Sequence, residues 1–201
     1  MLKQNACDLV FVPEVDEMYP EAVTTKYDFG RLERVMEGKH RPGHFNGVAV
    51  VVKKLFDIVE PDRAFFGQKD FQQLLIIQKL VEKKNIPVKI VPCPTVREVD
   101  GLAMSSRNKR LSYAEREKAP FLYQTLQKAA SMIPAASPEE VAAWGREQIE
   151  QHPKFKLEYF EVAGARELGK VEKFEKGHAY VICLAAHLGK VRLIDNVIIN
   201  S

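Results

Sequence analysis

Short apolar runs alternate with stretches of helical spacing through the first half of the chain, and the two rhythms predict different elements. Leu9–Val12 is a continuous apolar run and reads as a buried strand. From Asn46 to Val59, residues Val48, Val51, Val52, Leu55, Phe56 and Val59 recur at three- and four-residue intervals, which sets them on one face of a helix. Glu60-Pro61-Asp62 ends that helix, because a proline ring disfavours helical backbone in the residue before it. Arg63–Phe66 predicts a second strand. Phe71–Lys84 predicts a second helix, with Leu74, Leu75, Ile77, Leu80 and Val81 apolar, and Val88–Val91 a third strand closed by Pro92 and Pro94. Strand–helix–strand units with short connections imply a parallel sheet with right-handed crossovers. Ligands in such sheets lie beyond the carboxyl ends of the strands, where Gly67 and Lys69 fall.

Beyond about residue 100 the rhythm changes. Ser112-Tyr113-Ala114-Glu115 has the form of a capping box, in which serine and glutamate satisfy each other's free amides. The helix it opens is expected to run to about Met132, with Pro120 tolerated in its first turns or kinking it. Ser137-Pro138-Glu139-Glu140 opens another, with serine as the cap and proline in the first turn. Leu157–Val162, Ala179–Ala186 and Val191–Ile199 read as strands, the last two joined through His187-Leu188-Gly189-Lys190 as an antiparallel hairpin. The expected class is α/β: a partial Rossmann-like parallel sheet over residues 1–100, then a small α+β domain over 101–201, with the boundary near 96–108.

Composition narrows the function classes. A chain of 201 residues, 46% hydrophobic and 28% charged, folds rather than staying disordered. Its net charge of +3 comes from 30 basic and 27 acidic residues without blocks. No basic stripe interleaved with aromatics marks a nucleic-acid partner, and the balance suits small anionic ligands. Cys7, Cys93 and Cys183 have neither zinc-site nor disulfide-framework spacing, so they read as small core hydrophobes in a reducing cytoplasm. No apolar run has membrane-spanning length, so no membrane partner is expected, and the first residues lack a signal peptide's profile. The chain enters its first apolar run almost at once, as if cut from a longer protein.

Three segments carry candidate chemistry. Gly67-Gln68-Lys69-Asp70 lies at a strand-to-helix turn, where glycine admits a ligand to the backbone and the helix N-terminus offers free amides. Lys69 adds a charge for phosphate, and Asp70 suits ribose hydroxyls or a Mg²⁺ shell; the plainer reading is a tight turn with Asp70 as its cap. Met104-Ser105-Ser106-Arg107-Asn108 joins two hydroxyls to a guanidinium in a small-residue loop, able to close on a triphosphate or simply to link two domains. Arg41-Pro42-Gly43-His44-Phe45-Asn46-Gly47 precedes a long helix, with Arg41 suited to a carboxylate or phosphate and His44 to a helix start or a substrate. Gln72 and Gln73 follow the Lys-Asp pair; their amides suit a hydroxy acid, or are merely solvated. His40, His152, His178 and His187 have no partners at metal-ligand spacing and no metal ligand is assigned, while Trp144 reads as core.

Taken in order, Glu37–Val48, Lys54–Asp62, Phe65–Gln73 and Asp100–Asn108, with the terminal Arg192–Asn196 run, resemble the pantoate–beta-alanine ligase family, the pantothenate synthetases. The resemblance is colinear and spans essentially the whole chain. It implies a homodimeric ligase of the nucleotidyltransferase superfamily that uses ATP and Mg²⁺. Such an enzyme joins pantoate to beta-alanine through pantoyl adenylate, releasing pyrophosphate and AMP. It also implies roles. Gly67, Gln68, Lys69 and Asp70 would line the ATP site with Lys69 on phosphate, Met104, Ser105, Ser106 and Arg107 would form a second ATP loop, and Val96 would pack near adenine. Lys69, Ser105, Ser106 and Arg107 would be catalytic. Gln73 would bind pantoate, with Arg41, His44 and Glu37 around the acid pocket.

Two departures qualify the resemblance. Gln68 stands where the family commonly has glutamate, a small loss if its contact is through backbone. The His-x-Gly-His element that the family carries after its first strand occurs nowhere in this sequence. The expectation is therefore a C-terminal portion or truncated form that lacks half the active site and has impaired activity. The competing readings are another adenylate-forming nucleotidyltransferase, or a non-catalytic assembly module.

Overall fold

The computed structural model describes residues 2–200. Its first half contains two short helices, α1 (Val15–Met18) and α2 (Met36–His40), then a strand–helix–strand unit. Helix α3 (His44–Val59) leads into β1 (Arg63–Gly67), α4 (Phe71–Lys84) and β2 (Lys89–Cys93). The two strands pair in parallel from Arg63 opposite Lys89 to Gly67 opposite Cys93, as the alternating pattern predicts. Glu60 ends α3 in left-handed backbone, its amide donating to Phe56 O at 2.9 Å. Strand β2 runs through Pro92 to Cys93, past the expected stop. It is an outer strand of a two-stranded sheet, where a missing N–H is tolerated. Phe56, Ile77 and Val88 form the core under this sheet, with Val52, Phe66 and Ile90 packed around them.

The expected strand at Leu9–Val12 is absent. Residues 7–14 have no regular structure, and Leu9 is 79% exposed. An apolar run signals an appetite for burial, but a strand also needs a neighbour for its amides, and this segment has no strand alongside it among the described residues. Cys7 is likewise exposed rather than core, whereas Cys183 is buried as expected, and burial pushes its thiol pKa well up.

The second half is built from α5 (Tyr113–Arg116), α6 (Phe121–Ser131) and α7 (Pro138–Gln151), with strands β3 (Phe155–Gly164), β4 (Ala179–Leu188) and β5 (Val191–Asn200). The single helix expected from Ser112 to Met132 is two, because Pro120 lacks an amide to continue α5 and instead stands just before α6. The capping boxes at Ser112 and Ser137 are both formed. The three strands form an antiparallel sheet in the order β3-β4-β5, with the last two joined at Gly189, whose φ of +57° suits the tight connection.

Strand β4 ties the molecule together. Its alternating side chains split between two cores. Val181, Cys183 and Ala185 pack with Tyr159 against Phe45, Ile76 and Leu80 of the first half. Ile182, Leu184 and Ala186 pack with Phe160 against Leu122, Leu126, Val141 and Ile149 of α6 and α7. Gly145 lets α7 lie so close to β3 that any Cβ there would overlap the Phe160 ring.

Candidate functional site

The chain leaves β1 at Gly67, makes one 3-10 turn over Gln68–Asp70 and enters α4. Strand β5 holds this turn from outside. The Asn196 side-chain amide donates to the Gln68 and Lys69 carbonyls, each at 2.9 Å. Asn196 is in turn fixed by its neighbour, its backbone N–H donating to Asp195 Oδ1 at 2.8 Å.

One side of Lys69 faces a cavity bordered by Arg41, His44, Asp70 and Gln73. Glu37 lies at its edge and is only 7% exposed. Its carboxylate accepts from Arg192 Nη2 at 2.6 Å, from Arg192 Nη1 at 3.0 Å and from the Tyr159 hydroxyl at 2.8 Å, and Arg41 Nη1 stands 3.6 Å away. Burial works to raise the Glu37 pKa, but the hydrogen bonds and charge of Arg192, with help from Tyr159 and Arg41, hold it below the ordinary carboxylate range. Arg192 is shared: its Nε donates to Glu158 at 2.6 Å, and Glu158 also meets His40 Nδ1 at 3.0 Å. Glu37 is thus committed to protein partners and orients Arg41, rather than presenting a free carboxylate.

His44 opens α3 after Gly43, whose φ of +78° makes the sharp entry. Partial burial, then the neighbouring Arg41 charge, lower the His44 pKa below its ordinary value, which favours neutral imidazole beside the cavity. The two glutamines separate in role. Gln72 is 4% exposed, and its amide braces the start of α2 and the segment before it: Oε1 accepts from Glu37 N, while Nε2 donates to the Leu32 and Val35 carbonyls. Gln73 remains half-buried on the cavity wall.

Lys69 also borders a second cavity, with Ser105, Arg107, Asn108 and Arg192. This wall is set by a small hairpin: Arg97 bridges to Ala103, and Met104 N donates to Val96 O at 2.9 Å. Gly101 has φ of +92° at its tip and lies against the Tyr123 ring. Ser105 caps the following 3-10 turn, its Oγ accepting from Arg107 N at 3.2 Å, and Arg107 Nη1 donates to Arg192 O at 3.4 Å. Asn108 Nδ2 donates to Ala103 O, while its Oδ1 is buried without a hydrogen-bond partner.

The structure therefore gathers Lys69, Asp70, Gln73, Arg41, His44 and Glu37 around one cavity and Lys69, Ser105 and Arg107 around the other. Gly67, Gln68, Val96, Met104 and Ser106 stand in the adjoining turn and loop but border neither cavity. Sequence reasoning assigns no role to Tyr159, Arg97, Arg192, Asp195 or Asn196. The signal for the last three is present, since Arg192 and the Asp195-Asn196 pair interrupt an otherwise apolar strand.

The model of the pantoate-beta-alanine ligase family matches residues 1–198. A pantothenate synthetase of Porphyromonas gingivalis is 48% identical over 197 residues, covering 98% of this chain and 70% of that protein. One from Christiangramia forsetii is 48% identical over 203 residues, covering 100% of this chain and 72% of the relative. The crystal structure of pantothenate synthetase from Thermus thermophilus superimposes with a TM-score of 0.90 at 41% identity, covering 98% of this chain and 71% of that one. The Francisella tularensis pantoate-beta-alanine ligase, crystallised with beta-gamma ATP and beta-alanine, superimposes with a TM-score of 0.74 at 33% identity, covering 98% and 66%. With a family match over nearly its full length, relatives near half identity and a shared nucleotidyltransferase-type fold, the chain belongs to the pantoate-beta-alanine ligase family.

Proposed function

We propose that the site serves the ATP-dependent condensation of pantoate with beta-alanine, giving pantothenate, AMP and pyrophosphate through pantoyl adenylate. A carboxylate oxygen of pantoate forms a bond to the α-phosphorus of ATP as the bond to pyrophosphate breaks. The beta-alanine nitrogen then forms a bond to the acyl carbon, AMP leaves with the electron pair of the broken C–O bond, and the amine proton passes to solvent.

The observation that carries this reading is the position of Lys69 between two cavities, one with acid-binding groups and one with a hydroxyl and a guanidinium. A cation there meets both the developing bond and the departing pyrophosphate, where fixed charge lowers the barrier. Lys69, Ser105, Ser106 and Arg107 form the catalytic set. Gly67, Gln68, Asp70, Val96 and Met104 complete the ATP site. Arg41, neutral His44 and Gln73 hold pantoate, and Glu37 acts as a positioning residue through Arg41 and Arg192. Among the described residues no three His, Cys, Asp or Glu side chains cluster as a metal site. That suits Mg²⁺ delivered on the triphosphate with Asp70 as its protein carboxylate, since Mg²⁺ commonly takes few protein ligands and keeps phosphate and water. In this reading residues 1–100 carry the turn and 101–201 the closing loop. The family resemblance supports a cytoplasmic homodimer.

The 201-residue polypeptide contains no His-x-Gly-His and is proposed to turn over slowly on its own. Calorimetric titration with Mg-ATP tests the site, and AMP release with pantoate and beta-alanine tests turnover. The expected result is ATP binding that falls at least about tenfold in Lys69→Ala, the scale of a lost charge-assisted contact, with little AMP release. Equal affinity in the variant would remove Lys69 from the site, and rapid AMP release by the polypeptide alone would overturn the impaired-activity reading.

A further inference from the structure

We propose that Asp195 and Asn196, adjacent on β5, are positioning residues that set the distance between the Lys69 turn and the Met104–Arg107 loop. The proposal rests on the reading of both segments as an ATP site and adds what holds them in register.

An amide NH₂ has two hydrogens, and Asn196 directs both to successive carbonyls, Gln68 O and Lys69 O. Two bonds from one nitrogen to consecutive carbonyls fix the peptide plane between those residues and thereby the direction in which Lys69 leaves the backbone. Asn196 is 5% exposed, so water competes poorly for these bonds. Asn196 N donates to Asp195, and the two Asp195 oxygens take a forked pair of bonds from Arg97 at 2.7 and 2.9 Å. The same guanidinium donates to Gly101 O at 3.0 Å and to Asn196 O at 3.2 Å, and lies 3.6 Å from the Tyr123 ring centroid. Arg97 is also the residue whose backbone bridges to Ala103, immediately before Met104. An unbroken chain of contacts thus runs from Lys69 through Asn196, Asp195 and Arg97 to the second loop. Both Asp195 oxygens and the Asn196 side-chain nitrogen along it are paired, which gives the two segments one relative placement rather than several.

A purely structural role would lower stability and weaken all ligands alike. A positioning role weakens contacts to the outer phosphates selectively. The experiment compares Mg-ATP and AMP affinities of the 201-residue chain with those of Asn196→Ala, Asn196→Ser, Arg97→Ala and the Asn196→Ala/Arg97→Ala pair, with thermal unfolding measured on each. The expected result is a loss of ATP affinity of about tenfold in Asn196→Ala, the size of one or two hydrogen bonds, with AMP affinity within about twofold of the parent. Asn196→Ser keeps one donor and falls between; it decides the matter if the alanine variant does not fold. The double variant loses less than the product of the single losses, since both residues act through one connection. Equal losses for ATP and AMP, unchanged ATP affinity, or fully multiplicative losses would each overturn the proposal. A parent chain that binds no ATP would overturn the site reading beneath it, an outcome distinct from a binding parent with indifferent variants.

Discussion

The described residues form two sheets of opposite character. In the antiparallel sheet, β4 has a neighbour on each edge and a core on each face, and seven consecutive residues from Tyr180 to Ala186 are buried. In the parallel pair, β1 has one neighbour, and Phe65 at its centre is 66% exposed. Yet the turn with Lys69 hangs from the less covered strand. Burial is divided unevenly between the sheets, one covered on both faces and the other carrying the Lys69 turn at its end, and Glu37–Arg192 and Asn196–Lys69 contacts join the two halves.

The largest effect should come from breaking that join at Arg192. Replacing it by alanine leaves Glu37 and Glu158 without their shared cation in a largely buried setting, and should cost about 3–5 kcal/mol in denaturant unfolding. A loss below about 1 kcal/mol, the scale of a surface pair, would mean the sheets are held by apolar packing and the Asn196 hydrogen bonds without help from Arg192. The next comparison concerns the sheets themselves. Leu184→Ala in β4 should cost about 2–5 kcal/mol through the cavity it opens, whereas Phe65→Ala should stay within about 0.5 kcal/mol as a surface change. Similar costs at the two positions would erase the contrast.

The smallest effect is a pH dependence of the join. Glu37 has a lower pKa folded than its ordinary value of 4.5. Its contribution is therefore fully present above pH 4.5 and is lost as pH falls through the folded value, because the unfolded chain binds the proton first. Unfolding free energies measured from neutral pH down through that window should decline less steeply in Glu37→Gln than in the parent. Parallel declines would assign the acid sensitivity to other carboxylates.

What can be read from the sequence follows from local causes. The α3 and α4 faces, the Ser112 and Ser137 caps and the Gly189 connection are written in periodicity and side-chain chemistry within a few residues of each other. Leu9–Val12 misleads because hydrophobicity does not say whether a strand has a neighbour, and Pro120 because its breaking of the helix depends on which turn it occupies. The candidate residues are legible only through colinear resemblance, since four residues such as Gly67–Asp70 are short enough to arise in any turn. Nothing local marks Gln72 as a buried brace and Gln73 as a cavity wall: they are identical neighbours on one helix, separated by a rotation of about 100° about its axis. The partners of Arg97 and Asn196 lie 98 and 127 positions away in sequence, beyond any periodic signal.

That long separation bears on how the protein is made. Lys69 is synthesised well before Asn196, and domains form as their segments emerge from the ribosome. A nascent chain can complete β1, the turn and α4 while β5 is still untranslated, so the Lys69 turn exists for a time without its tether. The Lys69 carbonyl waits for its Asn196 donor until the chain has grown 127 positions further, and a translation product interrupted before β5 carries the lysine without the amide that fixes its backbone.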